Sequence, residues 1–200
     1  MLSLLLSFLP LIAQVSAEER REGFVPLFPK DSLEDWTGDP KLWSISGGVL
    51  TGSTDGVTIE RNTFLASRRE YGDFILRVQV RLRNGNSGIQ FRSESLPDHV
   101  ARGLQADMAE GNWLGSIYDE RGTRGVIVNG WKGKAEKVVK AGDWNEVEVF
   151  CRGDQIRITV NGLVTAELQD SSRLKGILAF QLHRGPQMKA EFRSMRIKTL

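Results

Sequence analysis

The sequence predicts an all-β fold, a sandwich or jelly roll of two antiparallel sheets. Three observations carry this. Apolar and polar residues alternate with period two over most of the chain. Turn-forming clusters recur at short intervals ("GDP", "SGG", "GSTDG", "NGNSG", "GDW", "RGD", "RGP"). Helical periodicity is almost absent beyond the first residues.

The clearest strand is "FILRVQVRL", which sends Phe74, Leu76, Val78, Val80 and Leu82 to one face and Arg77, Gln79 and Arg81 to the other. "WNEVEVF" repeats the pattern with Val147 and Val149. In "QIRITVNGLVTAEL", Ile156, Ile158 and Val160 lead into Asn161-Gly162, the dipeptide suited to a type I′ hairpin turn. "ILAFQLH" and "AEFRSMRIK" read as closing strands. Residues 95–140 are less regular, rich in Gly, Trp and charge, and loops of that kind often carry function. No internal repeat or linker interrupts the chain, so residues 22–200 are expected to form one domain.

Residues 1–17 read as a secretory signal peptide. An uncharged apolar run, "LSLLLSFLPLIA", precedes small residues at Val15 and Ala17, and the run is short for a membrane span. Residues 18–21 are expected as a short charged tail. This places the protein in the periplasm or outside the cell, with no stable membrane span after cleavage. The single cysteine, Cys151, lies in a strand-like run and reads as a packed residue rather than a nucleophile. A net charge of +2 gives no nucleic-acid footprint.

Candidate chemistry lies on the polar faces of three strands. "GIQFR" buries Ile89 and Phe91 and turns Gln90 and Arg92 away from the core. "GLQADM" buries Leu104 and Ala106 and turns out Gln105 and Asp107. "ILAFQLH" leaves Ala179, Gln181 and His183 opposite its apolar residues. Amides and a guanidinium suit hydroxyl and carbonyl groups, while a carboxylate and an imidazole move protons near neutral pH. The alternative at this level is a solvated polar face. Trp113 and Trp131 fall in the irregular middle, where an indole can stack on a sugar ring; Trp36, Trp43 and Trp144 flank strands and read as packing. With one Cys and two distant His, no zinc site is expected. No cofactor is predicted, and an oxygen-ligated divalent cation such as calcium stays open, with no cluster specific for it.

The pieces "GFVPLFPKDSLEDW", "NTFLASRREYGDFILRVQVRLRNGNSGIQFRS", "GLQADM", "WLGSIYDERG", "AGDWNEVEVFCRGDQIRITVNG" and "FQLHRGPQMKAEFRSMRIKTL" in this order resemble the 3-keto-disaccharide hydrolase domain family. The resemblance covers about residues 22–200. It implies a concanavalin A-like jelly roll and a carbohydrate partner. It also implies cleavage of glycosides already oxidised to a ketone at C3, by C2 deprotonation, elimination and hydration. Carried over by motif, Asp107, Glu120 and His183 are the acid and base candidates. Arg92, Gln105, Tyr118, Gln90 and Trp113 would contact substrate, with Asn62 and Asn86 as weaker neighbours. A non-catalytic lectin-like module is the competing reading, because such folds host both. The chain departs from the family pattern at "ASRREYGDF" and at Arg184.

Overall fold

A computed structural model describes residues 15–109 and 111–200; most of the expected leader lies outside them. The described chain holds strands β1 (Val25–Pro26), β2 (Trp36–Thr37), β3 (Trp43–Ser46), β4 (Val49–Ser53), β5 (Thr63–Tyr71), β6 (Phe74–Arg83), β7 (Gly88–Leu96), β8 (Val100–Asp107), β9 (Ile117–Glu120), β10 (Gly125–Val128), β11 (Asn145–Arg152), β12 (Gln155–Val160), β13 (Leu163–Gln169), β14 (Gly176–Leu182) and β15 (Lys189–Thr199). They form two antiparallel sheets. One has eight strands in the order β13-β12-β11-β6-β15-β4-β3, with β1 added beside β15. The other has seven, in the order β10-β9-β8-β7-β14-β5-β2. No described helix is long and apolar enough to cross a membrane.

The period-two pattern sets which face of each strand is dry. Phe74, Leu76, Val78, Val80 and Leu82 on β6 meet Ile89, Phe91, Leu104, Leu178, Phe180 and Leu182 of the opposite sheet in one core. Phe180 and Phe192 join the sheets with ring centroids 4.6 Å apart, and Trp36 stacks on Phe28 at 4.6 Å beside them. Cys151 is buried in this core, and desolvation pushes its thiol up to about 12, which leaves it inert. The Asn161-Gly162 turn has positive φ at both residues, as the hairpin twist requires. Trp144 lies on the outside of the eight-stranded sheet, between the guanidinium groups of Arg81 and Arg193.

Residues 18–21, expected as a short charged tail, pack on the fold. They lie in a short helix, α1 (Ala17–Arg21), with a capping box between Ser16 and Glu19. Glu19 accepts hydrogen bonds from Arg77 (3.1 Å) and Arg196 (2.6 Å) on the eight-stranded sheet. Burial opposes the charge on Glu19, but bonds from Arg196, the Ser16 N–H and Arg77 outweigh it and hold the carboxyl at about 2.

Arg92 is the main correction to the sequence reading. Strict alternation sends it to the outer face with Gln90. The register of β7 against β8 slips between Phe91 and Glu94, and Arg92 adopts φ +47°. This bulge inserts a residue, so the alternation breaks after Phe91. Arg92 is fully buried and reaches across the end of the sandwich. It donates to Gly72 O (3.1 Å), Gly153 O (2.6 Å) and the Asp73 carboxylate (2.8 Å). Its guanidinium fastens one sheet to the loops of the other and has no part in the polar cleft. Gly176 packs against the bulged backbone, where a Cβ would overlap Arg92 and Ser93.

Arg92→Met keeps much of the volume and removes all three bonds, taking the donor from the Gly72 and Gly153 carbonyls and the Asp73 carboxylate. It is expected to destabilise the fold by about 2–4 kcal/mol, read as a lower urea midpoint. An unchanged midpoint would show that the two sheets do not depend on this tie.

Candidate active site

The outer face of the seven-stranded sheet holds a cleft of about 320 Å³ lined by Asn62, Asn86, Gln105, Asp107, Trp113, Tyr118, Glu120, Val126, Gln181 and His183. Register brings the strand residues together. Gln90 lies opposite Gln105, Gln105 opposite Tyr118, and Gly88 opposite Asp107. Short β9 carries Tyr118 and Glu120 two residues apart, hence on one face. Asn62 enters from just before β5, and Asn86 from the β6–β7 turn.

These side chains form a directed hydrogen-bond relay. Ser93 Oγ donates to Gln90 Oε1 (2.7 Å), and Gln90 Nε2 donates to Gln105 Oε1 (2.9 Å). Gln105 Nε2 faces both Asp107 Oδ2 (3.3 Å) and Gln181 Oε1 (3.5 Å). Gln181 Nε2 and Asn62 Nδ2 then donate to the two oxygens of Glu120, at 3.3 and 3.2 Å. Gln90 is fully buried beneath the cleft and is part of its support rather than its lining. Gly88 leaves the space that Gln105 occupies, since a Cβ there would overlap the glutamine side chain.

Burial raises Asp107 to about 6, assisted by the nearby charge of Glu120 and opposed by the Ala109 N–H (2.9 Å to Oδ1) and Gln105. Burial also raises Glu120, against hydrogen bonds from Asn62 and Gln181 and the nearby charges of His183 and Arg121. The Tyr118 hydroxyl is raised by desolvation and by the nearby charges of Glu120, Asp107 and Asp119, so it stays protonated. His183 Nδ1 lies 2.6 Å from the Arg184 carbonyl. A carbonyl only accepts, so the Nδ1–H of His183 donates to it. Asn86, which lines the cleft, has its Oδ1 buried without a hydrogen-bond partner among the described residues.

A larger groove of about 520 Å³ lies along the sandwich edge between residues 25–36 and β5. Its two carboxylates, Glu34 and Asp35, are exposed, and Glu34 is salt-bridged to Lys30 at 2.5 Å. Of these two, the smaller cleft brings raised carboxyls together with an imidazole, which makes it the candidate site. Among the described residues no cluster of three or more His, Cys, Asp or Glu is arranged to hold a metal ion. The carboxylate oxygens of the cleft face amide N–H groups, a poor setting for a cation.

Alternation therefore locates Gln105, Asp107 and His183 in the cleft, beside Trp113, Tyr118 and Glu120. It also put Gln181 on this face, and the structure makes Gln181 the link between Gln105 and Glu120. Val126 had no signal beyond the short run "GVIV".

The model of the 3-keto-disaccharide hydrolase family, described as the 3-keto-alpha-glucoside-1,2-lyase-like domain, matches residues 23–198. The chain belongs to this family. No curated protein sequence matches it. Among solved structures it is similar to two Parabacteroides distasonis proteins described as putative glycosyl hydrolases. One has 21% identity, a TM-score of 0.71 and coverage of 94% of this chain and 99% of that one. The other has 21% identity, a TM-score of 0.67 and coverage of 88% and 99%. It is also similar to the carbohydrate-binding module CBM66 of Bacillus subtilis, at 14% identity and a TM-score of 0.61, with coverage of 82% and 96%. At these identities the likeness is one of fold, the jelly roll expected from the sequence.

The raised Asp107 carboxyl has a consequence for stability. A folded-state value above the unfolded one favours the protonated form, so its contribution is fully present below about pH 4 and is lost as pH rises through about 6. The cost of ionising this group at neutral pH is on the order of 3 kcal/mol. Asp107→Asn is expected to raise the melting temperature at pH 7.5, with the gain vanishing near pH 4. A gain that does not change with pH would contradict the buried, destabilised carboxylate.

Proposed function

We propose that the protein cleaves 3-keto-glycosides or 3-keto-disaccharides by elimination followed by hydration, and that it does so as an exported, periplasmic or secreted enzyme. The observation that carries the reading is the desolvated pair Asp107 and Glu120, held by one amide relay, with His183 and Tyr118 in the same cleft. The family's lyase description supports it. A ketone at C3 acidifies the C2 hydrogen, so the reaction needs a base at C2, a donor to the ketone oxygen and a donor to the departing oxygen.

Asp107 is the base. At about 6 its carboxyl is ionised at neutral pH and more basic than an exposed aspartate. It takes the C2 proton, the C2–H electron pair becomes the C1=C2 bond, and the C1–O bond breaks. The protonated Tyr118 hydroxyl donates to the ketone oxygen as it gains charge. Glu120, raised by burial, supplies the proton to the leaving oxygen, with the His183 imidazole in the same cleft to relay the replacement proton from water. Water then adds its oxygen to C1 as Asp107 returns its proton to C2, and the proton that water loses passes back to Glu120, giving the free 3-keto sugar. Asn86 and Trp113 line the cleft, and the Trp113 ring offers a face for stacking on the sugar. No step passes through a metal.

Purified protein is expected to release 3-keto sugar from a 3-keto-disaccharide and leave the unoxidised parent intact. Binding of both without cleavage of either would favour the lectin-like module, a role known among proteins of this fold. Asp107→Asn and His183→Ala are each expected to lower kcat/KM by roughly 10²-fold or more, and kcat/KM should rise as pH passes through about 6. A substrate deuterated at C2 should turn over more slowly. Equal rates for the two isotopes would remove C2 deprotonation from the slow step.

A further inference from the structure

A cavity of about 330 Å³ lies on the outer face of the eight-stranded sheet, on the opposite side of the sandwich from the cleft. Phe150, Gln155, Arg157, Glu167 and Gln169 line it. Strand register sets their places. Phe150 lies directly opposite Arg157 across β11 and β12. Arg157 faces Glu167, and Gln155 faces Gln169, across β12 and β13. Their neighbours Val149, Cys151, Ile156 and Ile158 point into the core, so these side chains share the outer surface. The Arg157 guanidinium sits over the Phe150 ring, 4.9 Å from its centroid. On four pairs of neighbouring strands an arginine and a glutamate lie directly opposite each other. Three of these close into ion pairs: Arg77 with Glu148 at 2.8 Å, Arg81 with Glu191 at 2.7 Å and Arg102 with Glu94 at 2.9 Å. The fourth, Arg157 and Glu167, stays open. Among the described residues neither side chain makes a hydrogen bond or ion pair, and Arg157 Nε is buried without a partner. A buried donor left unmet is costly.

We infer that this cavity binds a neutral sugar through adjacent ring hydroxyls, as a glycan-binding site separate from the cleft. It needs nothing from the chemistry proposed for the cleft. The ligand class follows from the donors and acceptors present. A guanidinium only donates and a carboxylate only accepts. An anion that approached Arg157 would meet Glu167, and a cation that approached Glu167 would meet Arg157. A hydroxyl both accepts and donates. Two of them on neighbouring carbons can accept from Arg157 and donate to Glu167 with no net charge brought in. Gln155 and Gln169 each add a donor and an acceptor for further hydroxyls. The contact with Phe150 holds the guanidinium, while its N–H groups lie in its own plane and stay available. The volume sits at the small end of the range for ligand pockets, about 300–1,000 Å³, which suits one or two sugar units of a chain.

The test titrates isotope-labelled protein with neutral tetrasaccharides of glucose, mannose and galactose, and with a tetrasaccharide of galacturonic acid. Side-chain amide and arginine Nε–H signals are followed by NMR, which reports where each sugar binds. At least one neutral tetrasaccharide is expected to shift the Gln155, Arg157 and Gln169 signals, with a Kd of about 1 mM. The acidic tetrasaccharide should bind there more weakly. Arg157→Gln and Glu167→Gln are each expected to weaken the neutral sugar about tenfold. Glu167 is exposed, so its variant probes the site without disturbing the packing over Phe150. No shift at these residues with any neutral tetrasaccharide at about 10 mM overturns the inference. So do shifts confined to Gln105, Gln181 and the other cleft residues. Tighter binding of the acidic tetrasaccharide, or undiminished binding of the neutral one by Glu167→Gln, overturns it as well.

Discussion

A carboxylate can only accept hydrogen bonds, and the outer face of the seven-stranded sheet is organised around that fact. Asp107 and Glu120 are buried, so each oxygen needs a donor from the protein. The donors are amides, and an amide that gives its N–H to a carboxylate must turn its oxygen the other way. Gln105 points Nε2 at Asp107 and therefore offers Oε1 to Gln90. Gln90 in turn offers its oxygen to Ser93. Gln181 follows the same rule toward Glu120. One polarity runs through four strands, and it is fixed at the acidic end. The relay needs Gly88, because a side chain there would displace Gln105, and it needs Ser93 at the far end to supply a hydroxyl.

The β7 bulge links this relay to the fold. It brings Ser93 back beneath Gln90 and sends Arg92 through the end of the sandwich to Gly72, Gly153 and Asp73. A regular strand would place Arg92 on the cleft side, where a buried cation between two carboxyls would hold both ionised and lower their basicity. The bulge removes that cation and converts it into a tie between sheets. This leaves the cleft carboxyls without a buried cation between them and strengthens a fold whose only cysteine forms no disulfide.

Most of this was legible from alternation, because a strand's period of two is a local property. Phe91, Leu104 and Phe180 were assigned inward by it, and Gln105, Asp107, Gln181 and His183 outward. Arg92 was not legible. A one-residue bulge has no fixed composition, and a residue at φ +47° reverses every face that follows. Asn62 and Asn86 were read only as weaker neighbours through the family resemblance, since long-range packing decides which loop asparagine overhangs a sheet. The role of Gln181 was hidden for another reason. Its face could be read, but the neighbour it would meet across the sheet depended on strand order. Residues 18–21 looked like a tail because a single helical turn is too short to show periodicity. Their place was set by Arg77 and Arg196, far away in sequence.

The relay also constrains where a proton can sit once Asp107 has taken one. Each of its oxygens already accepts from the protein, Oδ1 from the Ala109 N–H and Oδ2 from Gln105 Nε2. Both neighbours are donors, so a proton on Asp107 finds no acceptor on the protein side. It must point into the open cleft. In the proposed elimination that is where the enone lies after C2 deprotonation. The same carboxyl that removed the proton therefore holds it toward C2 when water adds at C1, and the hydration step reuses the group without rearranging the relay. Burial that makes Asp107 a stronger base thus works together with the polarity of its neighbours. The first decides that the proton is taken, and the second decides where it is held.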